Sequence, residues 1–165
     1  MKIVLIPGCL ALLPEHASLR DPVADLRVAV LEAASWLGDD VEIIATEQGR
    51  RVARSVLADR QRSTASASAG RDVLVVANGS ACRTEKAPGF LDGRAEAFDT
   101  ALGAALREPS PAALLEVDDA LATELWADVA ALPELAELLG GARTAAVDYD
   151  DTPYGVQYWV IRWQA

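Results

Sequence analysis

Cysteine is scarce in this chain of 165 residues, and its two copies, Cys9 and Cys82, cannot build a disulfide framework. A reducing interior, the cytoplasm, is the expected setting. Histidine is scarcer still: His16 is the single copy, in a loop between Glu15 and Ser18. Imidazole ligands come in clusters, so a solvated surface side chain is the plainer reading of it. Basic residues are outnumbered, 15 Lys and Arg against 25 Asp and Glu, giving a net charge of -10 and a pI near 4.5. A phosphate backbone would be repelled on approach, which sets nucleic acid aside as a partner. No apolar run approaches the ~18 residues of a membrane span, so no membrane partner is expected.

What is present is a globular composition, 52% apolar and 24% charged, in a length that suits one domain over residues 1–165. The opening MKIVLIPGC faintly resembles a bacterial lipoprotein signal, but its apolar run is short and Pro7 interrupts it. A first buried strand, KIVLI, fits better. The spacing of Val23, Leu26, Val30, Leu31 and Ala34 predicts a helix from Val23 to Leu37, with Asp21 and Pro22 opening it and Gly38 closing it. DVEIIAT reads as a second strand and GRRVARSVLADRQR as a short basic helix. The low-complexity tract STASASAG puts a flexible loop over 61–70.

RDVLVVA is the clearest strand, and RAEAFDTALGAALRE the clearest helix, with Ala95, Phe98, Leu102 and Leu106 in one stripe. SPAALLEV, DDALATELWADVAAL and PELAELLGG predict three more helices, begun by Ser110-Pro111, Asp118 and Pro133. RTAAVDYD and GVQYWVIRW read as an antiparallel hairpin joined through DTPYG. Strands alternating with helices imply an α/β fold in three layers, α/β/α, with a mixed, largely parallel central sheet and a C-terminal hairpin. In such sheets ligands bind beyond the carboxyl ends of the parallel strands. Two loops leave strands there, PGCLALLPEHAS and the polar NGSACRTEK.

GSACRTEKAPGFLDGRAEAFD, the hairpin YDDTPYGVQYWV and the opening IVLIPGCLALLPE together resemble the class III extradiol ring-cleavage dioxygenase superfamily, in a shortened actinobacterial branch related to its catalytic LigB-type subunit. The resemblance covers about half the chain and is weakest between Glu47 and Gly70. It implies an α/β/α fold and, in true enzymes, a non-haem Fe(II) held by two histidines and a carboxylate, with a further histidine as acid/base. Such a triad needs two imidazoles. This chain has one histidine; Gly8 stands where the resemblance puts the first ligand, and Ala81 where it puts the acid/base. The expectation is a diverged protein without iron and with no cofactor, in which ring cleavage is lost and a small-molecule crevice is kept.

The candidate crevice residues are Gly8, Cys9, Asn78, Gly79, Ser80, Cys82, Arg83, Glu85, Lys86 and Tyr154. In one reading Ser80, Arg83 and Lys86 offer donors to an anionic or carbonyl-bearing molecule, with Glu85 fixing one cation. In the other, the loop's side chains cap the next helix and bond its own backbone. Cys9 and Cys82, with His16 or Asp150, are a weaker candidate for zinc, since no CxxC spacing supports it. Asp148, Asp150 and Asp151 can divide acid and base roles, but Asp-Asp-Thr-Pro is more readily turn chemistry. Trp159 and Trp163 share one strand face and form either core or an oligomer interface. Three functions stay open: a ligand-binding descendant, an enzyme of changed chemistry using Ser80, Cys82 or a cysteine-bound metal, and a homo-oligomeric interaction subunit.

Overall fold

The computed structural model describes residues 1–16, 21–60, 71–142 and 144–165, so the expected flexible loop at 61–70 lies outside the described residues. Five strands form one sheet: β1 (Lys2–Ile6), β2 (Val41–Ile44), β3 (Asp72–Val76), β4 (Ala145–Asp151) and β5 (Tyr158–Gln164). Their order is β2-β3-β1-β5-β4. The β2, β3 and β1 strands run parallel, β5 runs antiparallel to β1, and β4 pairs antiparallel with β5. The mixed α/β sheet with its terminal hairpin is therefore as the sequence pattern implies.

Alternation along the central strands assigns the two faces. Ile3, Leu5, Val73 and Val75 join Trp159, Ile161 and Trp163 on one face, under α3 (Ala95–Arg107), α4 (Pro111–Leu115) and α6 (Leu132–Leu138). Val4, Ile6, Leu74, Val76 and Val160 face the other way, under α1 (Ala24–Ser35) and α2 (Glu47–Asp59). Both tryptophans are core: each is 1% exposed, and Trp163 Nε1 donates to Leu106 O at 3.2 Å. They present no surface to a partner.

Helix ends refine the sequence reading. Asp21 Oδ1 accepts from Val23 N at 3.0 Å and Oδ2 from Arg27 Nε at 2.6 Å, anchoring the turn before α1. The second helix begins at Glu47, ahead of Gly49, because Thr46 Oγ1 accepts from Gly49 N. The helix expected across Asp118 to Leu132 is not continuous. Asp118 caps α5 (Asp119–Glu124) through Leu121 N at 3.0 Å, but the chain then turns at Trp126, whose φ is 58°. The backbone groups beyond β3 explain the break. Asn78 N donates to Asp128 O at 3.0 Å, Asp128 N to Asn78 O at 3.1 Å and Ala81 N to Leu125 O at 2.9 Å. A continued helix would leave these buried groups without partners.

The hairpin connection is likewise longer than a tight turn. Asp151 pairs with Tyr158, so residues 152–157 make the link, with positive φ at Tyr154 and Gly155.

One feature of topology locates the candidate site. The chain leaving β1 passes to the face of α1, whereas the chain leaving the adjacent β3 passes to the opposite face and α3. Neighbouring parallel strands whose connections part to opposite faces open a crevice beyond their carboxyl ends.

Candidate functional site

The polar loop after β3 is bound on both flanks by backbone hydrogen bonds. Gly79 N donates to Gln157 O at 3.0 Å, Gln157 N to Ser80 O at 2.9 Å and Arg83 N to Gly155 O at 3.0 Å, which zips the loop to the hairpin turn. The Asn78, Ala81 and Cys82 positions bond to 125–128 on the other flank, Cys82 Sγ lying 3.4 Å from Leu125 O. Gly155, at φ 77°, fits because a Cβ there would lie 2.6 Å from both Ala87 Cβ and Thr84 Oγ1.

A buried carboxylate that the sequence reading passed over organises this loop. Asp99 on α3, 2% exposed, accepts from Ser80 N at 2.7 Å, Ser80 Oγ at 2.6 Å and Arg83 Nη1 at 3.2 Å. The network continues through Gln157, which faces Arg83 at 3.5 Å and donates to Asp150 Oδ1 at 2.9 Å; Asp150 in turn pairs with Arg107. Ser80 and Arg83 are thus committed to a protein carboxylate. The signal was legible in principle: Asp99 falls on the same face as Ala95, Leu102 and Leu106.

The remaining candidates are distributed rather than gathered. Glu85 and Lys86 are exposed and line an open groove with Thr84, Thr152, Tyr154 and Gly155. Cys9 packs in the core layer beneath α1 and α2, while Cys82 packs with Ala95 and Leu125 beside α3. The two thiols fall in separate clusters, and among the described residues no group of three or more His, Cys, Asp and Glu side chains is arranged to hold a metal. Burial, with Asp92 and Asp99 nearby, pushes the Cys82 thiol up, so it stays protonated and weakly nucleophilic at neutral pH. Burial, with Cys9 adjacent, likewise holds the Tyr158 phenol well above its ordinary value. The three hairpin carboxylates have different partners: Asp148 pairs with Arg162 at 2.6 Å, Asp150 with Arg107, and Asp151 Oδ1 accepts from Thr152 N at 2.7 Å.

What converges beyond the ends of the parallel strands is a different set. Gly8 lies two residues beyond β1: a Cβ added there would lie 3.5 Å from Asn78 Oδ1, 3.5 Å from Val76 Cγ1 and 3.9 Å from Asp128 Oδ2. Thr46, two residues beyond β2 and the cap of α2, donates through Oγ1 to Asp128 Oδ2 at 3.1 Å. Asn78 Nδ2 donates to Gly79 O at 3.1 Å, which turns Oδ1 toward the space over Gly8. The sequence reading included Gly8 and Asn78 but missed Thr46 and Asp128, the latter hidden inside an apparent helix. Ala81, by contrast, is buried and bonded through its backbone to Leu125 and Gly89.

Burial pushes the Asp128 carboxyl up, against smaller opposing contributions from Thr46 and the Ala130 amide. A carboxyl whose folded pKa exceeds its unfolded value binds the more protons when folded, so it weakens the fold as pH rises from the ordinary value of 3.8 through the raised one. Asp128→Asn is therefore expected to raise the urea midpoint at neutral pH and to leave it unchanged below that window. An equal shift at both pH values would refute the assignment.

Three exposed aromatics rim these loops in the left-handed backbone region: Phe90 (φ 60°), Trp126 (φ 58°) and Tyr154 (φ 57°). Phe90 is 73% exposed, so little packing offsets its strain. Phe90→Gly relieves about 1 kcal/mol and returns part of it as chain entropy, for a net gain of about 0.5 kcal/mol by denaturant titration. A loss of stability would show that the ring is packed.

The fold and site define an α/β protein with a mixed five-stranded sheet and a group of polar side chains beyond the ends of its parallel strands. No protein-family model matches the chain, and no curated protein matches it. Among the described residues no helix is long and apolar enough to cross a membrane.

Proposed function

We propose that the chain is a diverged, non-iron relative of the class III extradiol dioxygenases that keeps a small-molecule crevice at the carboxyl edge of its sheet. The observation that carries the crevice is the arrangement at the switch point, where Asn78 Oδ1 and Asp128 Oδ2 border the space over Gly8. The link to the family rests on the GSACRTEK, PYG and IPGC segments. Gly8 and Ala81 occupy the positions at which the resemblance calls for imidazole, and His16 is the sole histidine in the chain. Absence of ring cleavage follows from that loss.

An anionic ligand would have to compete at Ser80 and Arg83 with Asp99, which already accepts from Ser80 Oγ and Arg83 Nη1. Chemistry through Ser80 or Cys82 is disfavoured by the same geometry, since both side chains are buried and bonded. The test is metal content and turnover. Protein produced in iron-supplemented medium is expected to carry no stoichiometric iron by mass spectrometry and to consume no oxygen with a catechol. Bound iron together with ring cleavage would overturn the proposal.

A further inference from the structure

The crevice has an electrostatic sign. Asp128 Oδ2 faces the space over Gly8, and among the described residues no Lys, Arg or His pairs with this carboxylate, whose partners are the Thr46 hydroxyl and the Ala130 amide. Asn78 Oδ1, directed at the same space, accepts no hydrogen bond among the described residues. Two acceptors therefore lie together without a cationic donor among the described residues, the Thr46 hydroxyl being the neutral donor to Asp128 Oδ2. The nearby cations are committed: Arg83 to Asp99, and Arg50 to the carbonyl oxygens of Ile43 and Ala45 at 3.0 and 3.5 Å. A half-buried carboxylate with hydroxyl and amide donors but no counter-charge favours a cation. The net charge of -10 adds a long-range field of the same sign.

We propose that the crevice over Gly8 takes a small organic cation, a protonated amine or amidine, with Asp128 as its counter-ion and Asn78 Oδ1 as a second acceptor. The proposal rests on the small-molecule reading above and names the ligand class for it. A bare metal ion fits less well. Two protein oxygens, one of them from an amide, fall short of the six to eight that calcium gathers. Nitrogen donors suit them better, because an ammonium or amidinium group brings two or three N–H bonds to just such a pair of acceptors.

Charge-reversed probes of matched shape test this on the whole chain by two-dimensional NMR. Propylammonium and benzamidinium are expected to shift the amide signals of Gly8, Asn78 and Asp128 saturably, whereas butyrate, benzoate and calcium leave them in place. Asp128→Asn should weaken the cation response about tenfold or more, the loss expected for one charge-assisted hydrogen bond. Its spectrum serves as the check that the fold is kept, and the probe comparison on the native chain decides the matter without any variant. A response to butyrate, benzoate or calcium equal to that of the cations, or an unchanged affinity in Asp128→Asn, would overturn the cation assignment and leave the crevice reading standing. Silence of these signals toward every probe would overturn both.

Discussion

Replacing Asp99 with alanine is expected to destabilise the protein by about 3–5 kcal/mol, a large share of the stability of a domain this size. The carboxylate is 1% exposed and its partner Arg83 is 22% exposed, so solvent screens the pair weakly. Alanine would leave Ser80 N and Ser80 Oγ as buried donors without acceptors, and it would leave the Arg83 guanidinium with Gln157 Oε1 at 3.5 Å and the exposed Glu96 at 3.8 Å. Unmet buried donors and an uncompensated charge account for the magnitude. Asp99→Asn should cost less, because its one carbonyl oxygen still accepts from Ser80. Urea unfolding with unchanged m-values would report the loss as stability rather than altered compactness. A cost below about 1 kcal/mol would mean that the network is effectively solvated.

The second large effect is steric. A Cβ on Gly79 would lie 2.5 Å from Asp99 Oδ1 and 2.8 and 2.9 Å from Gln157 Cβ and Cγ. None of these atoms yields readily: Oδ1 is held by Ser80 N, and Gln157 is bonded through its backbone to Gly79 and Ser80. Gly79→Ala must therefore separate the loop from α3 or from the hairpin, at about 3 kcal/mol. Gly93→Ala is the control, since nothing lies within 4 Å of its added Cβ, and it should be neutral. Equal stability of the two variants would show that the loop can move aside. The two predictions are coupled, because both act on the contact between Asp99 and the 79–80 backbone. The double variant should accordingly cost less than the sum.

The polar loop that stood out in the sequence thus divides into two roles. Ser80 and Arg83 hold the loop to α3, while the side chains of Asn78 and its pairing partner Asp128 lie over Gly8. Glu85, Lys86 and Tyr154 form an outer groove with no bond to either group. Residue type alone could not separate these roles. A serine beside a strand end has the same donor whether it meets a ligand or a carboxylate that lies 19 residues further along the chain.

Local periodicity determined much of this protein by itself. The β-branched runs at Ile3–Ile6 and Val73–Val76, the helical stripe of Ala95, Leu102 and Leu106, the Asp118 cap and the terminal hairpin all follow from repeats and caps within a few residues of one another. Tertiary structure alone decided the rest. It broke the helix after Glu124, because the backbone beyond β3 needed partners that only the 125–128 segment could supply. It buried Asp99 opposite Ser80, put Trp159 and Trp163 inside, and set Asp128 beside Thr46 and above Gly8. Those relations join residues from 19 to more than 100 positions apart; burial of apolar area places the tryptophans, and satisfaction of buried polar groups and charges sets the others. A spacing pattern carries no record of such a demand, because the demand arises when the layers close.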